Sequence, residues 1–103
     1  METGISVACE VSVGTFMSEY FVKIKMFDDK LWTGAVDREM VFELEKEPTK
    51  EFYVKGRICA YLISFDKESG TATIELPIEE STVGRKIIVS LGIVRRERVP
   101  AWF

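Results

Sequence analysis

Residues 51–65 read EFYVKGRICAYLISF. At about 3.3 Å per residue, a strand over this run would span about 50 Å, too long to lie flat across a small domain. It must bend, and Gly56 is the expected place for a bulge or corner. Alternation along the run assigns Phe52, Val54, Ile58, Ala60 and Leu62 to a core-facing side, and Tyr53, Lys55, Arg57, Cys59 and Tyr61 to the other. A strand that coils through a glycine can serve two sheets, and this favours a small barrel.

The flanking sequence carries strand signals in both directions. Downstream, Asp66-Lys67-Glu68-Ser69-Gly70 is a turn, TATIEL over 71–76 returns as a strand, and Pro77 ends it. Residues 78–83 could hold one helical turn. Gly84 then restarts the chain into a strand whose consecutive Ile87, Ile88 and Val89 predict a central position or cover on both faces. Upstream, Ser6 to Val13 alternates with Val7, Cys9, Val11 and Val13 on one face. Residues 20–27, YFVKIKMF, place Val22, Ile24 and Met26 inward, and Asp28-Asp29-Lys30 turns that run into Leu31-Trp32-Thr33 as a hairpin. Met40, Phe42 and Leu44 alternate with Glu39, Val41 and Glu43, which predicts a strand up to Pro48-Thr49. Val36, Met40 and Leu44, spaced by four, leave a helix as the alternative. The expectation is an all-β domain of about seven or eight strands with at most one short helix. It is either a small, partly open antiparallel barrel of OB or SH3 type or a two-sheet sandwich.

A chain of 103 residues is the size of one domain, expected here over 1–103 with 95–103 as a C-terminal arm. No run approaches the roughly 18 apolar residues of a membrane span, and METGISVACEVSV has no basic, signal-like start, so a cytoplasmic protein without membrane contact is expected. The abundance of Glu, Lys, Arg, Val and Ile with three prolines would suit a thermophile's ion-paired surface. Cys9 and Cys59 fall on opposite strand faces, which predicts two buried thiols rather than a disulfide. The chain has no histidine, which removes imidazole bases and common zinc sites. Its seven glycines are dispersed without a phosphate-loop spacing. The adjacent carboxylates Asp28/Asp29 and Glu79/Glu80 sit in turn-like sequence. No catalytic residue, metal or cofactor is expected.

A binding surface is the stronger lead. Lys23 and Lys25 share an outward face with Phe21 and Phe27, and Lys55 and Arg57 share theirs with Tyr53 and Tyr61. Cations interleaved with aromatics suit single-stranded nucleic acid, where phosphates take the charge and bases stack on rings. This holds if the two strands are neighbours. The alternative is that Phe21 and Phe27 cap the core while the lysines pair with Glu10, Glu39 or Glu43. The overall charge of −3 argues against a general affinity for polyanions but leaves a local patch open. The arm carries Arg95, Arg96 and Arg98, then Trp102 and Phe103 after Pro100. Such aromatics either fold back onto their own barrel or anchor in a partner, another copy included. The expected function is a non-catalytic binding module for single-stranded nucleic acid. The alternative is a cellular or viral assembly subunit that oligomerises through edge strands and the aromatic tail.

Two family likenesses are visible. TIELPIEESTVGRKIIVSL, residues 73–91, resembles half of the AbrB-type swapped-hairpin DNA-binding proteins, in which a strand ending in a hydrophobic-Pro pair leads through a short turn to a glycine and an alternating strand. Glu75, Glu79 and Glu80 stand where a DNA reader would carry Lys or Arg, so no residue role carries over. The expected barrel with its aromatic-ended tail is also similar to OB-fold single-strand DNA-binding proteins, whose tails are acidic where this one is basic.

Overall fold

The computed structural model describes residues 4–78 and 86–97. Eight strands account for most of them: β1 (Gly4–Val13), β2 (Glu19–Lys25), β3 (Leu31–Asp37), β4 (Val41–Phe42), β5 (Val54–Asp66), β6 (Thr71–Glu75), β7 (Lys86–Ser90) and β8 (Val94–Arg96). They form one antiparallel sheet in the order β3-β2-β1-β5-β6-β7, with β4 added to β5 and β8 added to β1. The sheet curls into a half-barrel, the barrel side of the expected alternatives. Just past β2, the Phe27 N–H donates to the Ile88 carbonyl on β7 at 2.9 Å, which draws the two limbs of the curl together.

Period-two patterning accounts for the concave side. Val7, Cys9 and Val11 of β1, Val22 and Ile24 of β2, and Val54, Ile58 and Ala60 of β5 are all buried. They meet Trp32, Val36, Ala72, Ile74, Leu76, Ile87 and Val89 in one cluster. In β3 the Trp32 indole lies across Gly34. A Cβ there would stand 2.6 Å from the ring, so only glycine lets the ring lie against the backbone.

The long strand bends at a different residue from the one the sequence suggested. Gly56 stays in unbroken register with Cys9, and the shift falls between Leu62 and Ser64, leaving Ile63 unpaired opposite β6. The bulge exchanges the two faces. Leu62 pairs with buried Ile74, and three residues later Phe65 pairs with buried Ala72, so Phe65 turns to the concave side although simple alternation from Leu62 would turn it outward. Gly56 serves close packing. The Leu44 methyl would lie 2.9 Å and the Val11 methyl 3.3 Å from a Cβ at this position. The crossing chain is held there by Glu45 N–H to the Lys55 carbonyl, 2.9 Å, after a bend in which Glu43 adopts φ of 51°.

Three further expectations are corrected. Residues 38–44 form neither a full strand nor an α-helix. Arg38–Met40 is a single 3-10 turn and β4 is two residues long, with Val41 rather than Phe42 buried. Phe52, assigned to the core, is 65% exposed, because β5 begins at Val54 and alternation does not extend past its start. β7 ends the strand order instead of lying at its centre, and Ile88 faces outward, 52% exposed. The turn at residues 66–70 forms as expected, closed by Gly70 N–H to the Asp66 carbonyl. Cys9 and Cys59 are free buried thiols on opposite faces, in register with Gly56 and Ser6 respectively. The helical turn expected over 78–83 lies, past Ile78, outside the described residues.

Ser6 is fully buried on the convex side, and a chain of charge-assisted hydrogen bonds explains it. Arg57 Nε donates to Ser6 Oγ at 2.7 Å, and its Nη2 donates to the carbonyls of Ser6 and Ile93 at 3.1 and 2.9 Å. Ser6 Oγ donates to Glu97 Oε2 at 2.6 Å, and Arg95 Nε donates to the same oxygen. Arg95 also bridges to Glu43. The hydrogen bond from Arg95, then that from Ser6, holds the Glu97 carboxyl below its ordinary range, and Arg95 does the same for Glu43.

Two outcomes test this account. Gly56→Val must push back the crossing chain and is expected to lower stability by about 1–3 kcal/mol in urea unfolding, with Gly56→Ala costing less. For a carboxyl whose folded pKa is depressed, the unfolded state binds more protons, so stability rises with pH through the titration range. The parent is therefore expected to lose stability between about pH 5 and pH 3, with a shallower loss in Glu97→Gln, as measured by thermal melts across that range.

Candidate functional site

β1 separates β2 from β5, so the two strands carrying the expected binding residues are not neighbours. The cross-strand row on the convex face runs Thr33, Lys23, Glu10, Lys55, with an acid standing between the two lysines. At the end of β1 the strands nevertheless bring several of these residues together. Phe21 pairs with Ser12, and Val11 pairs with Val54, which sets position 53 beside the small Ser12. The Tyr53 ring lies across this gap, and Lys23 Nζ sits 4.0 Å from its centroid. That is a cation–π contact.

Loop anchoring completes the site. Ser12 Oγ and Val13 N–H both donate to the Thr49 carbonyl, at 2.8 and 3.2 Å, and Phe52 N–H donates to Thr49 Oγ1 at 3.1 Å. The segment around Thr49 is thereby fixed against the end of β1. Between it and residues 13–15 opens a groove of about 410 Å³, walled by Phe21 and Tyr53 and lined by Ser12 and Lys50. Both rings are 38% exposed, and among the described residues Lys50 is the only charged one lining the groove. Phe16 and Met17, 67% and 90% exposed, stand on the adjoining loop, and Phe52 is next to Tyr53.

The remaining expected residues lie elsewhere. Lys25 is further along β2 and reaches Asp29 at 3.3 Å, with both side chains mostly in water, so the pair contributes little. Arg57 is committed to Ser6 and Ile93. Tyr61 pairs with Gly4 and Glu75, eight residues and about 26 Å of extended chain from Tyr53, which precedes β5. Arg95 bonds Glu43 and Glu97, while Arg96 lies exposed on β8. Arg98, Trp102 and Phe103 lie outside the described residues. Sequence reasoning missed Lys50, Phe16 and Met17. All three are in loops, where no period exists to place a side chain, and the break at Pro48-Thr49 was the only signal that the chain turns back here.

The site offers aromatic rings for stacking and lysines for charge contacts. Burial pushes the Cys9 thiol up to about 12 against an opposing pull from Arg57, and burial also raises Cys59, so both thiols are held in the unreactive protonated form. Among the described residues, no group of three His, Cys, Asp or Glu could hold a metal ion, and no helix is long and apolar enough to cross a membrane. No protein-family model, curated protein or solved structure matches the chain.

Proposed function

We propose that the protein is a non-catalytic module that binds single-stranded nucleic acid in the groove between Phe21 and Tyr53. The supporting observation is the held geometry of Lys23 over the Tyr53 ring, with Phe21 across the groove and Lys50 on its edge. Two half-exposed rings offer stacking platforms, and Lys23, Lys50 and Lys55 offer cations for the phosphates on either side. Phe16 and Phe52 extend the aromatic surface at the same end. Work in a reducing cell interior fits two free thiols that lie on opposite faces of the sheet.

Fluorescence anisotropy with a labelled single-stranded oligonucleotide tests this. Affinity is expected to fall with added salt with a log–log slope of about −2, from about 0.7 for each of three phosphate contacts. Tyr53→Ala is expected to cost about 1–3 kcal/mol and Lys25→Ala almost nothing. Absence of binding at low salt, or equal binding by Tyr53→Ala, overturns the proposal.

Assembly through an edge strand is the second reading. It is favoured by β3, which ends the sheet order and whose sequence LWTGAVD carries one charge and no proline. Light scattering is then expected to show more than one chain per particle, reduced to one by Thr33→Lys. A single-chain mass for the parent removes this reading.

A further inference from the structure

At the other end of β1 from the Phe21–Tyr53 groove, the mouth of the half-barrel holds a second groove of about 300 Å³. Ile5, Leu62 and Val94 form its apolar lining, and Phe65, turned inward by the bulge at Ile63, is one wall and 51% exposed. Among the described residues, Lys67 and Arg96 are the charged ones that line it, and none of the lining residues described is a carboxylate. An apolar slot with cations alone at its rim fits the electron-rich face of an aromatic ring, and of the natural rings indole attracts cations most strongly.

We propose that this groove receives the side chain of Trp102 of the same chain. The residues following Glu97 are Arg98-Val99-Pro100-Ala101-Trp102-Phe103, which bring two aromatic rings and no acid. Reach is sufficient. Arg96 is itself a wall of the groove, and Glu97 N–H still donates to the Gly4 carbonyl at 3.2 Å, so the chain leaves from the groove's margin. Five residues extend about 16 Å, enough to turn back once and return, and Pro100 limits the conformations lost on docking. A segment so tethered meets the groove at an effective concentration in the millimolar range, which favours the chain's own tryptophan over that of a second copy.

Acrylamide quenching of Trp102 emission, obtained as the difference between the parent and Trp102→Phe because Trp32 is also present, tests the proposal in the full chain. In the parent, Trp102 is expected to be shielded at every protein concentration, with a single-chain mass by light scattering. The double variant Leu62→Ser, Phe65→Ser is expected to move its emission to longer wavelength and raise quenching severalfold while the strand signal in circular dichroism persists. If that variant unfolds, the rim variant Lys67→Glu, Arg96→Glu supplies the same readout without touching the apolar lining. Full quenching in the parent overturns the proposal. So does shielding that none of these substitutions reduces in a folded chain, and so does shielding that appears only with a doubled mass.

Discussion

Pairing of β1 with β5 over eight consecutive registers, Gly4 with Tyr61 through Val11 with Val54, is the constraint on which the rest of the sheet depends. Both strands lend their second edge to two partners. The far edge of β1 carries β2 at one end and β8 at the other, and that of β5 carries β4 and then β6. Two outer edges thus hold four partner segments, each leaving the ladder in its own direction as it twists, and the coiling of this pair goes with the half-barrel. The two strands are far apart in sequence, so closing this ladder carries a large loop entropy that local turns do not offset. Folding is therefore governed by a non-local step, as in other sheets of this kind.

The ladder also fixes which charged residues are available at the surface. Arg57 stands opposite Ala8, with Ser6 close enough to accept from it, and a guanidinium offers five donors in a fixed fork. It joins β1, β5 and the approach to β8 in one polar network, which leaves every buried side-chain polar atom among the described residues with a partner. A lysine at position 57 could not make these contacts together. The residue type that makes a cation attractive to a phosphate here serves register instead.

Much of the fold was legible in the sequence wherever one face meets the core and the other meets water. Val7, Cys9 and Val11, and Val22 and Ile24, all follow period two, and the turns at Asp28-Asp29-Lys30 and residues 66–70 announce themselves by composition, whereas the apolar run Ile87-Ile88-Val89 hid the alternation that leaves Ile88 outward. Legibility failed where geometry breaks the period. Gly56 looked like a bulge because it lacks a side chain, yet its use is to admit Leu44, which is distant in sequence. The actual bulge sits at Ile63, an ordinary strand residue with no local signature. Phe52 was misplaced because alternation was carried past the strand's true start. For the candidate groove, Phe21, Lys23 and Tyr53 were readable as outward residues, but their meeting across β1 depends on strand order and on the small size of Ser12.

The placement of Glu10 between Lys23 and Lys55 has a kinetic consequence. Glu10 offsets one of its two flanking cations, and the chain as a whole is negative, so the positive field left over this row is weak and is screened within one Debye length, about 8–10 Å at physiological salt. Under the proposed function, capture of a strand would then begin with a collision that already brings a ring and a lysine into contact. On that proposal the encounter rate would belong to the unsteered regime, about 10⁵–10⁶ M⁻¹s⁻¹, and discrimination among ligands would reside in how long each one stays.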